Sequence, residues 1–395
     1  MSLPADSLHA INAVLDAAVE FSKRKHAKLG YCVAAAFDLL VSAEYYQSMT
    51  HRGWTYCSEG PTMLVYPFTN TCPRCVSNGH FQFVKGNKPE SGRIGMVTVE
   101  ILCHILQYMF NREGKEAKVV KASEPIDMII FDYRASHILI AEVKAAPLLT
   151  LPLSVTCEKQ TEMLEGSAIA SGHSATDNPF FKSSELNLLI PKTKDSEETP
   201  VPISVDWGAS SPFYSAIGNL VSENRSFFET YYVYWHRAFE AYCGRNRNDP
   251  PFWLTNGCGQ PVPRPDAWPS RKGSGYESVS DGKTSVGMDR TDDIKKGIFQ
   301  VLKLGVEYKP SDPQKRIRTA LMSNIHAVRH YSEYLESLRD IVWAIDESGT
   351  ARLMADLDPD CAIYNLFDGI LSFTRCDIRD AWLSSLFAFG GEDGV

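Results

Sequence analysis

Asp127 is followed, after fourteen intervening and mostly apolar residues, by Glu142, Val143 and Lys144. Residues two apart on a strand point to the same face, so Glu142 and Lys144 share one, and a hairpin partner can bring Asp127 beside them. Carboxylate oxygens suit a hard divalent cation, and an ammonium group next to them can orient and acidify a water. The chemistry open to this trio is metal-assisted hydrolysis of a phosphodiester. Asp127 and Glu142 would be magnesium ligands, the Val143 carbonyl a third, and Lys144 the group that activates water. Glu142 and Lys144 close the apolar run HILIA, where charge is costly unless it has a task. The competing reading is a rim salt bridge between Lys144 and either acid.

The elements that must position these residues are legible as patterns. Three β-rich runs, AKVVK, IDMIIFDY and HILIAEVKAAPL, follow a helix expected over 94–110, and the short turn 133–136 predicts an antiparallel hairpin. The fold class expected is α/β, a small mixed sheet flanked by helices. Apolar spacing of three and four predicts helices over 7–27 and 32–46, and the chain reads as helical again over 227–242 and 317–343. A further strand is expected at 186–191. The polar run after it suggests a soft boundary near 195, and 246–287 is a long segment rich in Gly, Pro and Ser. The organisation expected is an N-terminal helical, cysteine-rich region at 1–93, a catalytic core at 94–195, and a helical, loop-rich part at 196–395. That last part holds the remaining core elements and the recognition loops.

Pro125, Asp127, Glu142 and Lys144 resemble the signature of the PD-(D/E)XK nuclease superfamily, with Ile126 inserted between the proline and the aspartate. The resemblance covers about residues 94–150 and implies a restriction-endonuclease-like core. In that family the helix ahead of the strands often offers another acidic residue to the metal site, which here is Glu100; its other reading is a helix-surface glutamate. A chain of this length without helicase or ATPase motifs resembles a type II restriction endonuclease, and its organisation resembles the ApaLI-like enzymes. The resemblance implies magnesium-dependent, sequence-specific cleavage of double-stranded DNA by a homodimer, leaving 5′-phosphate and 3′-hydroxyl ends. Two other readings stand beside it. One is a zinc-stabilised DNA-binding or regulatory protein without catalysis, and the other a repair or transposition nuclease on the same core.

Cys72-Pro-Arg-Cys75 is a CxxC motif, and Cys57 lies fifteen positions before it, so three thiolates could share a structural zinc or iron ion. Cys32, His51 and His80 compete for the fourth place, with Cys32 preferred because it completes an all-thiolate site. Buried structural thiols are the alternative. Lys283, Arg290, Lys295 and Lys296 lie in a polar segment suited to phosphates or base edges, and Arg245 and Arg247 are interleaved with asparagines. Solvated turns and helix starts explain the same residues. Gly282-Lys283-Thr284 is no P-loop, because Glu277 stands where the first glycine is required. His326 and His330 are four apart, but Ala327 breaks the HExxH pattern.

The net charge of −8 argues against coating nucleic acid by bulk positive charge, leaving room only for a local basic track. The sequence has no cationic, apolar leader and no run of 18 apolar residues, so neither export nor membrane insertion is expected. The compartment expected is a reducing prokaryotic cytoplasm, with action at the nucleoid.

Overall fold

The computed structural model describes residues 3–49, 55–57, 60–66, 91–156, 183, 185–190, 199–246, 249, 255, 286–345 and 353–389. Among them the helices are α1 (Ala5–Lys25), α2 (Leu29–Met49), α3 (Ser91–Arg112), α4 (Pro212–Glu223), α5 (Phe227–Cys243), α6 (Thr291–Tyr308) and α7 (Ala381–Leu386). The strands are β1 (Thr55–Cys57), β2 (Gly60–Tyr66), β3 (Ala117–Lys121), β4 (Met128–Asp132), β5 (His137–Val143), β6 (Leu153–Thr156), β7 (Glu185–Ile190), β8 (Thr199–Ser204), β9 (Ile317–Ser323), β10 (Val342–Ala344), β11 (Ile363–Asn365), β12 (Gly369–Ser372) and β13 (Asp377–Ile378). No helix among the described residues is long and apolar enough to cross a membrane.

The chain divides into two compact units, each discontinuous: Met1–Ile105 with Ala146–Val286, and Leu106–Ala145 with Gly287–Val395. The segment 94–195 read from the sequence as one core therefore contributes to both.

In the first unit, α1, α2, α4 and α5 accompany an antiparallel sheet of order β1-β2-β6-β7-β8. Helix α2 is apolar on nearly every side and is buried on nearly every side from Cys32 to Tyr46, as a helix without a polar face must be. Helix α4 lies close on α1: a Cβ on Gly218 would stand 2.9 Å from the Cα of Ala10, so only glycine permits the approach.

The second unit is built on a six-stranded mixed sheet of order β13-β12-β9-β5-β4-β3. Strands β3, β4 and β5 form antiparallel hairpins, while β5, β9 and β12 run parallel. Helix α6 covers the middle of one face, where Ile294, Val301, Leu321, Phe367 and Ile370 form an apolar cluster. The chain is thus mixed α/β, with a mixed sheet flanked by helices.

One expectation fails here. Residues 317–343 are not a helix: they begin with β9, and the segment behind it contains only a π-helical turn, Tyr331–Leu335, before β10. A parallel strand buried on both faces reads as a continuous apolar run, and Ala-Leu-Met within it favours helix locally, so periodicity alone does not distinguish the two. His326 and His330 accordingly lie in the irregular segment after β9, not on one helix face.

Candidate active site

The hairpin register brings the two acids together. Met128 stands opposite Ala141 and Ile129 opposite Ile140, so one further step sets Asp127 opposite Glu142, with both side chains on one face. Asp127 is fixed in the turn entering β4, where its carbonyl accepts from the Ala122 N–H at 2.9 Å. Its Oδ2 accepts from the Val143 N–H at 2.8 Å, so the carboxylate replaces the missing ladder bond at the strand end.

Strand β9 holds the other side of the site. The Lys144 N–H donates to the Met322 carbonyl at 2.8 Å, and the Ser323 hydroxyl donates to the Lys144 carbonyl at 2.9 Å. Helix α6 lies directly over this backbone: a Cβ on Gly297 would stand 2.8 Å from Cδ1 of Leu321 and 3.5 Å from Cγ of Lys144. Three residues on, Gln300 Nε2 donates to the Pro125 carbonyl at 3.3 Å and ties the helix to the turn that carries Asp127.

Glu142 is 4% exposed and forms an ion pair with Lys144 through Oε1 and Nζ. Burial pushes the Glu142 carboxyl up to about 7; the Lys144 ammonium pulls it down, and the neighbouring Asp127 pushes it up again. Two carboxylates this close resist joint ionisation, and one lysine does not neutralise both. Removing water strengthens that repulsion, so the ionised site has an unmet demand for positive charge.

The donor set suits magnesium. This cation is commonly held through one or two carboxylates, with waters and substrate phosphate completing its shell. Among the described residues, no group of three or more His, Cys, Asp and Glu side chains is arranged to hold a metal, so the side chains available here are the Asp127–Glu142 pair, with the Val143 carbonyl adjoining.

The remaining candidates belong to the first unit, to α6, or to segments outside the described residues. Glu100 belongs to the first unit, where it is buried, accepts from the Leu3 N–H and, after burial itself and together with Glu44, raises Tyr214. Cys32 is buried in the first unit against Ser22 and Tyr232, and burial pushes its thiol up to about 12. Cys72, Cys75, His51 and His80, and the Cys57 side chain, lie outside the described residues, as do Lys283 and Arg247. Arg245, in the first unit, lies over the Tyr242 ring at 5.5 Å. Arg290, at the start of α6, pairs with Asp293 at 3.0 Å, and Lys295 stands 5.6 Å from the centroid of Tyr334.

Sequence reasoning missed Ser323, Gly297 and Gln300. They enter from α6 and β9, more than 150 residues after Lys144, and no local pattern ties them to it. No family model, curated protein or solved structure matches the chain.

Proposed function

We propose that this protein is a magnesium-dependent DNA endonuclease of the PD-(D/E)XK type, acting as a sequence-specific restriction enzyme. The observation that carries the reading is the buried Glu142 with Asp127 and Lys144 beside it, at the end of a small mixed sheet. A helix ahead of three strands, and a mixed sheet flanked by helices, agree with what the sequence resemblance implies.

Asp127 and Glu142 would hold the ion. When bound, magnesium supplies positive charge against the phosphoryl oxygens and lowers the pKa of a coordinated water. Lys144 is fixed at its backbone by Met322 and Ser323, so its ammonium can orient the attacking water and stabilise the hydroxide it becomes. The water oxygen bonds to phosphorus, the bond to the 3′ oxygen breaks, and the products carry 5′-phosphate and 3′-hydroxyl ends. A homodimer would place one such site on each strand of the duplex. A structural zinc or iron ion in the cysteine-rich region belongs to the same proposal.

The test is incubation of the purified protein with plasmid and phage DNA, in magnesium and in EDTA, beside Lys144→Ala. Discrete fragments are expected only from wild type in magnesium. Intact DNA across many sequences and salt conditions would contradict the reading and favour a DNA-binding protein without catalysis. Cleavage governed by DNA structure instead of sequence would mark a repair or transposition nuclease.

A further inference from the structure

Helix α6 packs on β9 and β5, and the face of the sheet that it shares continues beyond it onto β4 and β3. Cross-strand register sets Ile138 opposite Phe131 and Ile129 opposite Ile140, on the same face as Asp127 and Glu142; Val120 and Lys118 continue that face onto β3. The two faces differ in burial. Met128, Ile130 and Leu139 on the far face are fully buried, whereas Ile129, Phe131 and Ile138 are half-buried and Val120 is 38% exposed. An apolar floor thus lies open beside α6 and leads to the two carboxylates.

The wall of this trough presents two adjacent lysines. Gln300 fixes which flank of α6 faces the turn before β4, through its bond to the Pro125 carbonyl. Lys296, four residues earlier, and Lys303, three later, share that flank and are exposed. Lys118 stands exposed on β3 at the other side of the floor. Glu307 ends the helical stripe away from Lys144, because Gly297 lies over Lys144 and Gly305 over Thr319, nearer the start of β9. Asp292, four residues before Lys296, ends the stripe at the other side, so the two lysines lie side by side between single acids.

We infer that this trough is the track of the DNA strand being cut, with Lys296 and Lys303 on α6 and Lys118 on β3 pairing with phosphates next to the one that reaches Asp127 and Glu142. The inference rests on the nuclease reading and deepens it by naming the residues that hold the substrate backbone. Seven helical residues span about 10.5 Å, a reach over which both helical lysines can serve phosphates of a single strand. Of the basic residues expected from the sequence to meet phosphates, Lys296 lies on this flank, whereas Arg290 and Lys295 lie off it, one paired with Asp293 and the other against Tyr334.

The test is fluorescence anisotropy with a labelled random-sequence duplex in EDTA, over a salt series, together with plasmid cleavage in magnesium. The double variant Lys296→Glu/Lys303→Glu alters exposed helix positions, and circular dichroism checks that it folds. It should bind about tenfold more weakly or worse, and the slope of log affinity against log salt should shrink by about 1.8, two phosphate contacts at about 0.9 each. Lys295→Glu should bind like wild type. Equal loss in Lys295→Glu, or unchanged affinity and slope in the double variant while wild type binds and cuts, overturns the inference and leaves the nuclease reading standing. A wild type that neither binds nor cuts DNA removes both.

Discussion

Two buried acids, Asp38 in the first unit and Glu142 in the second, are both pushed up by burial, to about 8 and about 7, yet their surroundings differ in kind. Asp38 sits within α2 and is met by neutral donors: Trp235 Nε1 at 2.6 Å, the Leu149 N–H at 2.9 Å and the backbone of Leu148. Such a carboxyl can stay protonated and pin three segments together without needing a ligand. Glu142 meets a second carboxylate and one lysine, an arrangement short of positive charge whenever both acids ionise. Burial alone therefore does not mark a functional acid. The sign of the neighbours does.

Four changes break or sharpen that contrast. The largest effect is expected at Glu142: Glu142→Gln should lower magnesium-dependent cleavage by about a thousandfold or more, while the metal-free protein becomes no less stable, since a buried charge beside the half-buried Asp127 is removed. Asp38→Ala should do the reverse. Leaving Trp235 Nε1 and the Leu149 N–H without an acceptor should cost about 2–4 kcal/mol in urea unfolding, with cleavage per folded molecule unchanged. Gly297→Ala comes next, at about tenfold. The added methyl displaces Leu321 and crowds Lys144, so kcat should fall while duplex affinity and stability hold to within about 1 kcal/mol.

The smallest effect is on pH. Both acids have folded values above their ordinary ones, so the folded state binds more protons between the two, and the stabilisation present at low pH is lost as pH rises through the folded value. For Glu142 the window runs from its ordinary 4.5 to about 7, and thermal scans of metal-free protein should show stability falling across it. Glu142→Gln should flatten that part of the slope and leave the part due to Asp38, which extends to about 8. Below pH about 7 the magnesium concentration required for half-maximal cleavage should rise, because protons compete for Glu142.

The sequence carried the hairpin and its three chemical groups because strand period, turn length and apolar run length are local properties of residues 117–144. It did not carry β9. A strand buried on both faces lacks the alternation that marks a half-buried one, and its Ala-Leu-Met run satisfies a helix equally well. Losing β9 also hid Ser323 and the face of α6, and with them the contacts that fix Lys144. The polar segment 280–297 supplied Arg290, Lys295 and Lys296 as candidates without sorting them, since composition does not give rotation about a helix axis; Arg290 pairs with Asp293 and Lys295 lies against Tyr334.

The central claim, that Asp127 and Glu142 form a pair awaiting a cation, is tested most directly by the thermal midpoint at pH 8 with and without millimolar magnesium, for wild type, Glu142→Gln and Asp38→Asn. The account predicts that magnesium raises the midpoint of wild type and Asp38→Asn and leaves Glu142→Gln unmoved. An equal rise in all three, or none in wild type, would contradict it.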